Sequence, residues 1–226
     1  MAVRPVAVAF DIIGTVFSLD RLGDGLEELG LPPLALDFVY NAALRDSFAL
    51  AVTGGFAPFD RLLAAALDEI CAAQGLSQST AQKEAALAAM SNLLPYEDAE
   101  NAFKTLLEVD IRIIALSNGA VASTTDLLER AGLADYVEIV LSSAELNMSK
   151  PRREVYLHAA TAANVLPGQM ALVASHPWDV QGAKAAGLVG AYVSRGMPYP
   201  RTMGASDVSG TTLLDVAQLI ADWDRP

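Results

Sequence analysis

One carboxylate near the start of the chain stands directly after a short, apolar, β-rich segment, Val6–Phe10. Asp11 ends this segment, and Gly14 and Thr15 follow within four residues. The carboxyl ends of strands in an open α/β sheet form the edge at which sites are built. A carboxylate placed there can act as a nucleophile. The residue two places on is Ile13, an apolar side chain that bears directly on which reaction Asp11 can perform.

Further polar groups follow apolar segments later in the chain, and each predicts a different contribution to a site. Lys150 would hold Asp11 ionised, because a nearby positive charge lowers the pKa of a carboxylate. Ser117 and the backbone amides of Asn118 and the next residue would open a helix, whose N-terminus suits a carboxylate or phosphate group. Asp179 would activate or position a water molecule.

Each of these residues also has an ordinary structural interpretation as a turn, a helix cap or a solvated charge. His176 would orient water or substrate, or else bond to a loop carbonyl. Trp178 would either line the pocket or fill the core. No Cys or His lies at metal-ligand spacing from His176, so the pattern does not favour zinc. The ordered occurrence of these residues after successive strands favours a shared site over any single interpretation.

The composition excludes several classes of function. The chain has 226 residues, with 15 Lys and Arg against 27 Asp and Glu, and a formal net charge of −12. This balance argues against nucleic-acid binding, which needs clustered basic residues. No apolar run reaches the roughly 18–20 residues of a membrane span, and no secretory signal is evident. A single cysteine, Cys71, fits a reducing cytoplasm, so we expect a cytoplasmic protein.

Five apolar segments predict buried parallel strands, and helical patterns separate the last four. The predicted strands are Val6–Phe10, Ile111–Leu116, Val137–Leu141, Met170–Ala174 and Leu188–Val193. The predicted helices between them are Val121–Ala131, Arg153–Ala163 and Val180–Ala186. Strand–helix alternation favours an α/β fold with a doubly wound parallel sheet.

Residues 19–94 interrupt this alternation. They are rich in Ala and Leu at helical spacing and show no clear strand. We predict that they form a small helical domain inserted after the first strand, and that residues 1–18 and 95–226 form the core domain. The junction of the two domains would be a cleft, where ligand sites are common.

The ordered set of motifs resembles the haloacid dehalogenase superfamily over nearly the whole chain. The similar motifs are Asp11-x-x-Gly-Thr-Val, Ser117-Asn118-Gly119, Lys150-Pro151 with Tyr156, and Trp178-Asp179. The resemblance implies a Rossmann-like core with a cap domain formed by the helical insertion. It also implies active-site roles for Thr15, Ser117, Lys150, Tyr156 and Asp179, with Asn118 at a position associated with substrate and halide contacts.

The residue two places after Asp11 separates two branches of this superfamily. In the phosphatase branch a second Asp stands there as the general acid, and further acids in the last motif hold magnesium. Ile13 occupies that position here, and residues 176–178 before Asp179 contain no carboxylate. The sequence therefore resembles the metal-independent, type II 2-haloacid dehalogenases, and we expect no metal or other cofactor.

This resemblance implies hydrolytic dehalogenation of short-chain 2-haloacids such as chloroacetate or 2-chloropropionate. Asp11 would attack the carbon that bears the halogen and form an aspartyl ester. Water would then hydrolyse the ester and release a 2-hydroxy acid. The expected partners are the small anionic substrate and the halide product. Similar enzymes are often dimers, so a homodimer is among the expected assemblies, although no residue here specifies an interface.

The cap side departs from the pattern of the family. Its halide-binding Arg would fall near Tyr40–Asn41, and neither residue is Arg. Arg45 lies one helical turn later, where it would either contact the substrate or pair with Asp46 and neighbouring acids. In the last loop, Ala174 and His176 replace a family Ser and Asn. Two alternative functions therefore stay open: a magnesium-dependent phosphatase, and a descendant without catalytic activity.

Overall fold

A six-stranded β-sheet forms the centre of the protein. The computed structural model describes residues 4–223. The strands are β1 (Ala7–Phe10), β2 (Arg112–Ser117), β3 (Ile139–Ser142), β4 (Met170–Ala174), β5 (Val189–Val193) and β6 (Val208–Gly210). Their order is β3-β2-β1-β4-β5-β6, and each neighbouring pair is parallel. The strand β1 therefore lies between β2 and β4.

Helices connect the strands and cover the sheet. They are α1 (Asp20–Glu28), α2 (Ala35–Thr53), α3 (Phe59–Ala73), α4 (Thr80–Leu87), α5 (Ala99–Leu107), α6 (Val121–Arg130), α7 (Arg153–Ala162), α8 (Pro177–Ala186) and α9 (Leu213–Ala221). Within residues 4–223, no helix combines the length and apolar character that crossing a bilayer requires.

The alternation of side chains along β1 explains why helices cover both faces of the sheet. Val8 and Phe10 face a buried cluster that includes α5, α6 and α9. Ala7 and Ala9 face a second cluster, built with α7 and α8. All four side chains are fully or almost fully buried. A strand buried on both faces is typical of parallel sheets, and the doubly wound α/β fold predicted from the sequence is confirmed.

The helices α1 to α4 pack around an apolar cluster of their own, between β1 and α5 in the chain. Three half-buried residues, Ile13, Leu19 and Met90, pack against both this cluster and the core cluster beneath the sheet. They mark the seam between cap and core. The cap domain is consistent with the fold family that the motifs indicated, whereas the division at residues 18 and 94 stays a prediction.

Three elements differ from the sequence prediction. The helix α5 was not predicted, and neither was β6, because three residues are too few to show a strand pattern. The helix α8 begins at Pro177 rather than at Val180. Proline suits the first helical position, because its fixed φ angle matches the helix and its missing N–H would be unpaired there. As a consequence, Asp179 lies in the first turn of α8.

Candidate active site

Three predicted site residues meet at the carboxyl ends of three adjacent strands. Asp11 follows β1, Ser117 ends β2 and His176 follows β4. The backbone N–H of Asp11 donates to the carbonyl of Val173 at 3.0 Å, which continues the pairing of β1 with β4. The position of Asp11 is therefore fixed by the sheet itself.

The ammonium group of Lys150 lies between two carboxylates. Its Nζ atom is 2.7 Å from Oδ1 of Asp11 and 2.7 Å from Oδ2 of Asp179, and it also donates to the carbonyl of Leu116 at 3.0 Å. All three charged side chains are buried. An ammonium has three N–H donors, and these three bonds use all of them. Lys150 thus joins two acids from distant parts of the chain and has no donor left for a further ligand.

This arrangement separates the pKa values of the two acids. Burial acts to raise the pKa of Asp11, but the charge of Lys150 and the hydrogen bond from His176 outweigh it and hold the pKa below its ordinary value. Burial dominates at Asp179 and raises its pKa, against the opposing effect of Lys150 and with a further contribution from Asp11. Asp11 is therefore the ionised partner, and Asp179 is the stronger base.

The second oxygen of Asp11 is held by two groups. The hydroxyl of Thr15 donates to Oδ2 at 2.6 Å, and Nδ1 of His176 lies 2.8 Å from the same atom. Because an ionised carboxylate can only accept, Nδ1 must carry the proton. Thr15 in turn accepts the backbone N–H of Ser175 at 2.9 Å. Oδ2 therefore has two donors, whereas Oδ1 has Lys150 alone.

Tyr156 fixes the second acid. Its hydroxyl, fully buried on α7, donates to Oδ1 of Asp179 at 2.6 Å. Burial and the nearby charge of Asp179 raise the pKa of Tyr156 well above its ordinary value, so the donor stays protonated. A Cβ atom at Gly182 would lie 2.6 Å from this hydroxyl and 2.6 Å from Cβ of Pro151. The close approach of α8 to α7 therefore requires glycine at this position.

The loop after β2 is held by side-chain bonds to its neighbours. Oδ1 of Asn118 accepts from the hydroxyl of Ser143 at 2.8 Å and from the backbone N–H of Lys150 at 2.9 Å. The backbone N–H of Gly119 donates to Oγ of Ser117 at 2.9 Å. These bonds fix the oxygen of the Asn118 amide, so its NH₂ group is the end left for a ligand.

Aromatic side chains from the cap cover the site. The imidazole of His176 stacks with Tyr40, at 6.0 Å between centroids, and with Trp178, at 5.4 Å. Tyr40 also packs against Phe59, and Trp178 against Phe48. Trp178 therefore lines the site and packs against the cap at the same time. From the sequence, Tyr40 is only a position that lacks the expected Arg; its motif spacing was the signal that could have placed it here.

Tyr40 presents a free donor to the site. The residue is 9% exposed, and within residues 4–223 its hydroxyl makes no hydrogen bond. Burial, followed by the charges of Asp11 and Asp179, raises its pKa well above the ordinary value, so the phenol stays protonated. Tyr40, Trp178 and Asp11 line a small cavity of about 20 Å³, which is room for about one water molecule.

Arg45 is not brought to this site. Its guanidinium pairs with Asp46 at 2.8 Å and with Glu69 at 2.7 Å, and its side chain is 56% exposed. The alternative of pairing with neighbouring acids is the one that the structure shows. On helix α2, Tyr40 points inward and Arg45 outward. The two residues are five positions apart, which is about 500° around the helix axis, so their side chains lie on different faces.

The region around Asp11 contains few candidate ligands for a metal. Ile13 contributes no oxygen and is half-buried against the cap cluster. Both carboxylates of the site already bond to Lys150. Across residues 4–223, no group of three or more His, Cys, Asp or Glu side chains is arranged to hold a metal ion.

Comparison with known proteins finds relatives that match most of the chain. Haloacetate dehalogenase H-2 of Moraxella sp. (strain B) is 24% identical over 219 residues, which cover 95% of this chain and 97% of that protein. An (S)-2-haloacid dehalogenase of Xanthobacter autotrophicus is 29% identical over 191 residues, covering 84% and 75% respectively.

Solved structures share the fold. The structure of L-2-haloacid dehalogenase from Xanthobacter autotrophicus with chloropropionic acid covalently bound superposes with a TM-score of 0.87. It is 24% identical, covering 96% of this chain and 98% of that one. A family model described as haloacid dehalogenase-like hydrolase matches residues 6–187. That match spans β1 to β4, Lys150 and Asp179, and the chain belongs to the haloacid dehalogenase-like hydrolase family.

Proposed function

We propose that this protein hydrolyses short-chain (S)-2-haloacids to 2-hydroxy acids through an ester on Asp11, without a metal ion. The buried ammonium of Lys150 carries the proposal, because it bonds to both Asp11 and Asp179 and holds Asp11 ionised. Ile13 stands where a phosphatase of this superfamily needs an acid, which agrees with that role. The ammonium lies between the two carboxylates, in the space that a metal ion would otherwise occupy. The similarity to a haloacetate dehalogenase and to an (S)-2-haloacid dehalogenase supports the same reaction.

The first step forms the ester. Oδ1 of Asp11 accepts only from Lys150 and keeps a lone pair for attack, whereas Oδ2 already accepts from Thr15 and His176. The new bond joins Oδ1 to the carbon that carries the halogen, and the carbon–halogen bond breaks with its electron pair on the halide. Attack opposite the leaving group inverts that carbon. The covalently bound chloropropionic acid in the Xanthobacter structure is consistent with such an intermediate.

The second step hydrolyses the ester at Cγ of Asp11. Water attacks Cγ, and negative charge develops on Oδ2, where Thr15 and His176 donate. Asp179, whose raised pKa makes it the better base, accepts a proton from the water. Lys150, bonded to both Oδ1 and Asp179, passes a proton to the departing alkoxide and regains one from Asp179. The products are the 2-hydroxy acid, the Asp11 carboxylate and one proton.

Substrate recognition falls to uncharged donors. Asp11, Asp179 and Lys150 together carry a net charge of −1, which opposes an anionic substrate. We assign the substrate carboxylate to Ser117 and the amides that open α6. The NH₂ group of Asn118 and the hydroxyl of Tyr40 then face the halogen. Tyr40 thus takes the place of the Arg that the family pattern places near this position.

Halide release tests the proposed function directly. The protein should release halide from chloroacetate and (S)-2-chloropropionate with a chelator present, while phosphate esters with magnesium should not be hydrolysed. Asp11→Asn should abolish release, because an amide is not a nucleophile of this kind. Asp110→Asn, a change in the turn after α5, is the matched control. Chelator-sensitive phosphate release would favour a phosphatase, and no turnover of either class would favour a non-catalytic descendant.

The pH profile of a Tyr156→Phe variant tests the role of Asp179. Loss of the 2.6 Å hydrogen bond destabilises the Asp179 carboxylate and raises its pKa further. A bond to a charged group is worth about 1.5–3 kcal/mol, or roughly one to two pH units. Since Asp179 must be ionised to act as a base, the acid limb of kcat should move to higher pH by about one unit. The control is Tyr192→Phe, which loses a hydrogen bond to the Met197 carbonyl and should leave the acid limb of kcat in place. If the acid limb does not move in Tyr156→Phe, Asp179 is not the base of the mechanism.

A Tyr40→Phe variant tests the assignment of the leaving-group donor. The ring contacts with His176 and Phe59 are retained, and only the unpartnered hydroxyl is lost. We expect kcat/KM for (S)-2-chloropropionate to fall roughly ten- to a hundredfold, the range for a hydrogen bond to a charged group. The fall in kcat/KM should be smaller for (S)-2-bromopropionate, because bromide needs less stabilisation than chloride as it leaves. Tyr136→Phe, on the surface beside Glu100, is the control; equal losses for both halides would contradict the assignment.

A further inference from the structure

A second, larger cavity of about 310 Å³ adjoins the pocket of Asp11. It lies at the seam between cap and core, between the start of α3, the helical turn at residues 88–92 and the core helix α6. Its size is within the range of small-molecule sites, whereas the cavity beside Asp11 has room for only about one water molecule. The proposed substrates therefore need more space than the smaller cavity gives.

The chemistry of the larger cavity suits an uncharged, apolar group. Leu63, Met90 and Leu127 are among the apolar residues that line it and do not line the smaller cavity. Asp60 is the one charged side chain among the described residues that line it, and none of those residues is basic. A substrate carboxylate would meet a like charge and no cation there, whereas Ser117, which was assigned to the carboxylate, lies where the two cavities adjoin. An alkyl or phenyl group meets mainly apolar surface.

The two cavities adjoin each other. Five residues line both of them, and they are Ile13, Phe59, Ser117, Asn118 and Gly119. Ile13 stands at this junction with an apolar side chain, where a carboxylate would oppose the passage of a hydrocarbon group. The same residue that removes the general acid of a phosphatase therefore also presents an apolar surface between Asp11 and the larger cavity.

We propose that the larger cavity is a subsite for the apolar side chain of the substrate, so that 2-haloacids with an extended alkyl or aryl group are favoured over the shortest ones. The inference rests on the proposed function and narrows its substrate class. Burial of one methylene group raises affinity roughly fourfold. Going from (S)-2-chloropropionate to (S)-2-chlorohexanoate adds three methylenes, and kcat/KM should rise at least tenfold.

Substitutions at Met90 test the subsite. Met90→Trp fills the cavity and should lower the ratio of kcat/KM for chlorohexanoate over chloropropionate at least tenfold, while Met90→Ala enlarges the cavity and should not lower it. Met197→Trp is the matched control, because Met197 is exposed on a loop and lines neither cavity. An unchanged ratio in Met90→Trp, or an equal loss for both substrates, would overturn the subsite and leave dehalogenation intact.

Binding without turnover separates failure of the subsite from failure of the proposed function. Calorimetric titration with hexanoate and propionate, which carry no halogen, measures the subsite in the full-length protein. Hexanoate should bind at least tenfold more tightly than propionate, and Met90→Trp should remove the difference. If no haloacid is turned over but this preference is found, the proposed function fails and the subsite stands; equal dissociation constants for the two acids would overturn the subsite.

Discussion

The ammonium of Lys150, buried between two carboxylates, is the interaction on which the rest of the site depends. Two buried acids of like charge would otherwise repel and become protonated. With the ammonium 2.7 Å from each, Asp11 stays ionised, while burial still raises the pKa of Asp179. With one ammonium between them, two aspartates thus take different roles, Asp11 as the nucleophile and Asp179 as the base. Removing one partner of such a buried group costs about 3–5 kcal/mol, so the fold and the chemistry depend on the same contact.

This contact requires three distant chain segments to be fixed relative to one another. The register of the parallel sheet sets Asp11, since β1 pairs with β2 and β4 on either side. The bond from the backbone of Lys150 to Asn118 ties its loop to the end of β2. Glycine at position 182 lets α8 approach Tyr156 closely enough to hold Asp179. These contacts fix the charged residues of the site to the core domain, and the cap contributes mainly aromatic side chains that pack over them.

The core half of the site could be predicted from the sequence, whereas on the cap side the motif spacing at Tyr40 was the one signal and gave no direction for its side chain. Asp11, Ser117 and the segment before Asp179 each follow an apolar strand, and strand ends of a parallel sheet converge whatever the details of packing. The inward direction of Tyr40 and the outward direction of Arg45 depend on the rotation of α2 against the core, which no local pattern encodes. The bond from His176 to Asp11 and the cavity at the seam likewise arise from tertiary packing.

The most direct test of the account is a single-turnover reaction in heavy-oxygen water, with enzyme in excess over (S)-2-chloropropionate. Attack by Asp11 on carbon transfers a carboxylate oxygen to the product, and the hydrolytic water replaces it at Cγ. Mass analysis of the peptide that contains Asp11 should therefore find one heavy oxygen in that residue, and the first molecules of product should contain none at the new hydroxyl. Label in the product hydroxyl with an unlabelled Asp11 would show direct attack by water and would contradict the role of Asp11 as nucleophile.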